Sequence, residues 1–131
     1  MSIANLIGTS EEYVDRASGR ADKPPKNQGR VYCMKFKLDG DVVYKIGKAS
    51  GKSSIDRFMQ VLRSIYLSYQ VVPMSRLKRD RKSKDPYGDE KAIHNLLKIY
   101  GYEPAERFDG CTEFFKAEED VILDAYHQVI P

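Results

Sequence analysis

Residues 30–47 read Arg30-Val31-Tyr32-Cys33-Met34-Lys35-Phe36-Lys37-Leu38-Asp39-Gly40-Asp41-Val42-Val43-Tyr44-Lys45-Ile46-Gly47, and this stretch decides the fold. Tyr32, Met34, Phe36 and Leu38 fall on one side of an extended chain, with Cys33, Lys35 and Lys37 on the other. That two-residue period is the mark of a strand. Asp39-Gly40 follows directly, and such a pair between two apolar runs signals a tight hairpin because both central positions need positive φ. Val43 to Gly47 is therefore expected to return antiparallel against Arg30 to Cys33.

Downstream, Lys48 to Lys52 reads as a loop, and Ser53 or Ser54 is placed to cap a helix with Ile55, Phe58, Met59, Leu62 and Ile65 on one face. Arg57 and Arg63 lie on that helix off the apolar stripe. Leu67 to Met74, rich in Tyr and Val and ending near Pro73, reads as a third strand at a sheet edge, where a missing proline amide does no harm. A helix then starts at Gly88 or Asp89, with Ala92, Ile93, Leu96, Leu97 and Tyr100 available for burial and Gly101 to close it. Phe114-Phe115 is a short apolar segment, and a last helix is expected from about Glu118 to His127, its apolar side carrying Val121, Ile122, Ala125 and Val129.

Upstream, Ser10 is placed to cap a short helix through Val14, and the proline-interrupted polar run from Arg20 to Gly29 reads as a linker. Residues 1–29 are thus an arm and residues 30–131 a single domain. The fold class is α+β: a small three-stranded antiparallel sheet flanked by helices, in the order ββαβα plus a C-terminal helix.

The 131 residues suit one domain. Lys plus Arg number 22 against 19 Asp plus Glu, a net charge of +3. The distribution says more than the sum. From Arg76 to Asp85 the chain is a run of cations broken by two carboxylates. Arg76, Lys78, Arg79, Arg81, Lys82 and Lys84 would form a loop able to neutralise several phosphates, or else a solvated surface loop. Cys33 and Cys111 lack the spacing of a zinc site or a disulfide framework. No apolar run approaches a membrane span and the N-terminus lacks a secretory pattern, so a cytoplasmic location is expected, in the host cell if the gene is viral.

Tyr32 on one strand, Lys45-Ile46-Gly47 on the next, then Arg57, the Glu90-Lys91-Ala92-Ile93-His94 helix and the Thr112-Glu113-Phe114-Phe115 block together resemble the GIY-YIG nuclease superfamily, in its phage-type branch with a Lys-Ile-Gly second motif. The resemblance covers roughly residues 30 to 116. It implies a DNA endonuclease using one divalent metal, Mg²⁺ with Mn²⁺ as a substitute. Tyr32 would be the general base, Lys45 would stand where most members carry a second tyrosine, and Arg57 would contact the scissile phosphate. Glu90 would hold the metal, and His94, four residues on, would join the site as a proton shuttle or metal-shell partner. Each has a plainer reading: Tyr32 as core packing, Arg57 as a solvated arginine, Glu90 as a first-turn carboxylate favoured by the helix dipole, His94 as a structural histidine. Glu113 would serve packing or a hydrogen bond. The alternative function is an inactive nucleic-acid-binding module of the same fold. Specificity would come from the basic loop, the N-terminal arm or homodimerisation.

Overall fold

The computed structural model describes residues 29–108 and 110–131. The expected arm, helix and linker in residues 1–28 lie outside the described residues. Strand β1 spans Gly29–Leu38 and β2 spans Asp41–Ser50, paired antiparallel with Tyr32 opposite Gly47 and Met34 opposite Lys45. Asp39 and Gly40 form the turn at φ 54° and 81°, as the Asp-Gly signal requires. β2 runs on through Ser50, so most of the expected loop after Gly47 is strand.

Helix α1, Ile55–Tyr69, ends at Gln70 in the left-handed conformation. The residues read as a third strand, Leu67 to Met74, are therefore the end of this helix and a connection. The third strand is instead the basic run, β3, Ser75–Lys82. It pairs antiparallel with β1 as the sheet edge, with a register shift between Cys33 and Met34 that leaves Lys78 as an extra residue. The expected basic loop is thus an edge strand, and its charges guard that edge against pairing with another chain.

Helix α2 covers Pro86–Leu96, capped by the Asp85 carboxylate accepting from the Gly88 amide at 3.0 Å, so it starts earlier than expected. A 3₁₀ turn at Lys98–Tyr100 follows. A further 3₁₀ turn at Cys111–Glu113 leads into β4, Phe114–Phe115, and helix α3 spans Glu119–Val129. β4 pairs with β2, so the described sheet has four strands in the order β3-β1-β2-β4 rather than three. The α+β class holds.

Both faces of the sheet are covered. Tyr32, Met34, Phe36, Leu38 and Val43 pack with Phe114 against Val61 and Ile65 of α1. The opposite face, Val31, Cys33, Tyr44 and Ile46, packs on Ile93 and Leu97 beside α2 and on Ile122, Ala125 and Tyr126 of α3. The helix stripes are shifted from the expected ones: Ile55, Leu96 and Val121 are exposed. No helix among the described residues is long and apolar enough to cross a membrane.

Candidate active site

Three backbone choices bring the candidate residues together. The hairpin register sets Tyr32 beside Gly47 and on the same face as Lys45. A Cβ at Gly47 would lie 2.2 Å from the Tyr32 hydroxyl and 2.9 Å from Lys45 Nζ, so only glycine leaves that hydroxyl its place. Pairing of Phe114 with Lys45 then carries Glu113, at the end of the 3₁₀ turn, to the Lys45 side chain.

Lys45 is 0% exposed, and a buried ammonium needs partners. Its Nζ donates to the Tyr32 hydroxyl at 2.8 Å and to Glu113 Oε1 at 2.5 Å, and lies 5.0 Å from the Tyr32 ring centroid. An ammonium has three protons, so one donor is left over among these contacts. Glu113, read from sequence only as a packing or hydrogen-bonding residue, is therefore the counter-ion of the site. The available signal was a lysine inside an alternating apolar strand, which demands a carboxylate somewhere.

Glu90 sits in the second turn of α2, 8% exposed. Its Oε1 lies 4.0 Å from Lys48 Nζ, while its buried Oε2 has no hydrogen-bond partner among the described residues. Burial first, and then the charge of Glu113, push its pKa above the ordinary carboxylate value against the opposing pull of Lys48, His94 and Lys45. His94 is half-buried, with Nε2 2.7 Å from the Ile46 carbonyl and its ring 5.2 Å from that of Phe115. Since a carbonyl only accepts, Nε2 carries the proton and is committed to β2. Arg57 is exposed, contacts Gln60 Oε1 at 3.3 Å, and lines a cavity together with Lys45.

A second polar cluster fixes the helix that carries Arg57. Asp80 Oδ1 accepts from Arg30 Nε at 2.7 Å and from the Ser54 hydroxyl at 2.7 Å, and its Oδ2 accepts from the Ser54 amide at 2.9 Å. Ser54 is the α1 N-cap, but its hydroxyl is spent on β3 rather than on the first turn. Sequence reasoning missed this anchor, though a carboxylate set between Arg79 and Arg81 was its trace.

A family model described as the T5orf172 domain matches residues 29–130. The chain belongs to the T5orf172 family. That family is phage-associated and nuclease-related, and gives this domain a nuclease-like or DNA-binding character. No curated protein and no solved structure matches the chain. Within this T5orf172 domain the cations of the expected DNA-binding loop divide. Lys78 pairs with Glu119 at 3.4 Å and Arg79 Nε donates to His127 Nε2 at 3.0 Å, so both brace α3. Arg76, Arg81, Lys82 and Lys84 are exposed.

Proposed function

We propose that this domain is a metal-dependent endonuclease that cuts or nicks DNA with a GIY-YIG-type centre. The observation that carries the reading is the buried Lys45 bonded to the Tyr32 hydroxyl against Gly47, with the buried Glu90, one oxygen unpartnered among the described residues, within electrostatic reach of Lys45 and Glu113. The Lys45 ammonium donates to the phenol oxygen and fixes its position. Tyr32 would then take the proton of the attacking water, while the new oxygen–phosphorus bond forms and the phosphodiester bond opposite it breaks. Arg57, always charged and planar, would hold the non-bridging oxygens of the scissile phosphate.

The donor set fits one divalent cation of the Mg²⁺ type. Such an ion takes oxygen ligands and keeps several waters, so the free Oε2 of Glu90 suffices as the protein's share. No cluster of three or more His, Cys, Asp or Glu among the described residues would build a cage for a different metal. When bound, the ion would supply positive charge to the phosphoryl and leaving oxygens. Arg76, Arg81, Lys82 and Lys84, on or just beyond the outer strand β3, would add backbone contacts that are salt-sensitive and independent of sequence.

The test is conversion of supercoiled plasmid to nicked or linear DNA in Mg²⁺ or Mn²⁺, with a chelator control and the Glu90→Ala and Arg57→Ala variants alongside. Product from the wild type alone, abolished by chelator, is expected. Intact plasmid from folded wild type that still shifts DNA on a gel would replace the nuclease with a binding module.

A further inference from the structure

Arg63, on the same helix as Arg57, has no part in the proposed centre. It lines, with Lys45, Arg57, Gln60, Ser64 and Leu67, a cavity of about 340 Å³ running along α1. No carboxylate is among the described lining residues. Lys45 is neutralised by Glu113, which lies outside that lining, whereas Arg57 meets only the neutral Gln60 amide and Arg63 has no ion pair among the described residues. Among the described residues, neither guanidinium of the cavity has a carboxylate partner. A comparable depression on the other side of the sheet, lined by Lys35 and Lys116, has Glu119 in its wall, paired to Lys35 at 3.0 Å. The α1 cavity is thus lined by cations without a carboxylate, as is a depression lined by Lys35, Lys37, Arg76 and Lys78, where Lys35 and Lys78 are neutralised by Glu119.

Its length is informative as well. From Arg57 to Ser64 is about 10 Å along the helix axis, at ~1.5 Å per residue. That is too long for a single phosphate and leaves room for a second one. Leu67, 60% exposed, ends the row with an apolar surface beside these polar groups.

We infer that this cavity is a nucleotide subsite. It takes the phosphate next to the scissile one on Arg63 and Ser64, and that nucleotide's sugar on Leu67. The inference rests on the nuclease reading for the placement of the scissile phosphate at Arg57. Its contacts are to backbone and sugar, so it sets register along a strand without reading sequence.

Binding of a fluorescent DNA duplex, measured by anisotropy in chelator across a salt series, tests it without interference from cleavage. Arg63→Ala should weaken binding about tenfold, the worth of a charge-assisted contact. It should also flatten the log–log salt slope by about one, as loss of one phosphate contact does. Leu67→Glu, at an exposed position the fold tolerates, should weaken binding at least as much by placing a carboxylate in the cavity. Lys98→Ala, an equal loss of charge on an exposed turn away from α1, should change the slope little. Wild-type binding by both Arg63→Ala and Leu67→Glu would overturn the subsite. A wild type that nicks plasmid while those variants bind normally removes the subsite alone. A wild type that fails to nick while they lose binding removes the nuclease reading and keeps the subsite, and one that binds no duplex overturns both.

Discussion

Two carboxylates approached by cations, Asp80 and Glu90, are built to opposite plans. Both Asp80 oxygens are filled, by Arg30, the Ser54 hydroxyl and the Ser54 amide. Glu90 is as deeply placed, but one oxygen has no described partner and the nearest cation stands 4.0 Å away. A saturated carboxylate holds elements together and has nothing left to give a substrate. An unsaturated one lowers stability, and a fold keeps such a defect where it has a use. The same contrast separates Asp39, whose Oδ2 accepts from Tyr102, Ala105 and Tyr69, from the Glu90 pole of the molecule.

The comparison is broken most sharply at the unsaturated end. Lys45→Met and Arg57→Ala should each slow plasmid nicking by about 10²–10³-fold, the cost of removing a preorganised charge from a phosphoryl transition state. For Arg57→Ala, an exposed residue, thermal unfolding should stay near the wild type. At the saturated end, Asp80→Ala should lower the free energy of urea unfolding by about 3 kcal/mol, since it strands the nearly buried Arg30 guanidinium.

A smaller effect of opposite sign is expected at Glu90. Its folded pKa is raised, so its contribution to stability is present at acid pH and is lost as pH rises through the folded value. Glu90→Gln should therefore stabilise the domain by about 1 kcal/mol at pH 8, because the amide removes a buried negative charge, and by little at pH 4, where the carboxyl is already neutral. Asp39 supplies the mirror image. Burial alone would raise its pKa, but hydrogen bonds from Tyr102, Ala105 and Tyr69 override it and hold it low. Its contribution is present above the ordinary carboxylate pKa and is lost as pH falls through the folded value. Asp39→Asn should flatten the acid limb of the stability curve by roughly 1 kcal/mol or less, because the site is solvent-screened. Smallest of all, Cys33, whose thiol burial pushes up to about 12, should resist a thiol reagent at pH 8 until the protein unfolds, while the half-buried Cys111 reacts first.

The hairpin and its Asp-Gly turn were legible because alternation and turn chemistry are local. So was the shared face of Tyr32 and Lys45. β3 was not, for a physical reason: Ser75 to Lys82 is an edge strand with charged residues on both faces, so it carries almost no hydropathy alternation. The Tyr- and Val-rich run before it looked more like a strand than the strand did. Val71, Val72 and Met74 there are exposed, and Leu67 and Tyr69 belong to a helix end set by the left-handed Gln70. Glu113 and Asp80 were beyond reach because their partners lie 68 and 50 residues away. Buried charge announces that a counter-ion exists without saying which residue supplies it.

The most direct test of the account is the single-turnover nicking rate of Glu90→Gln in Mg²⁺ at pH 8, where that variant should be better folded than the wild type. The account predicts a rate at least about 10³-fold below wild type, since an amide gives up the charge that would hold the metal. A rate within tenfold of wild type would mean that the unpartnered carboxylate has no part in the chemistry, and would contradict the assignment of the centre.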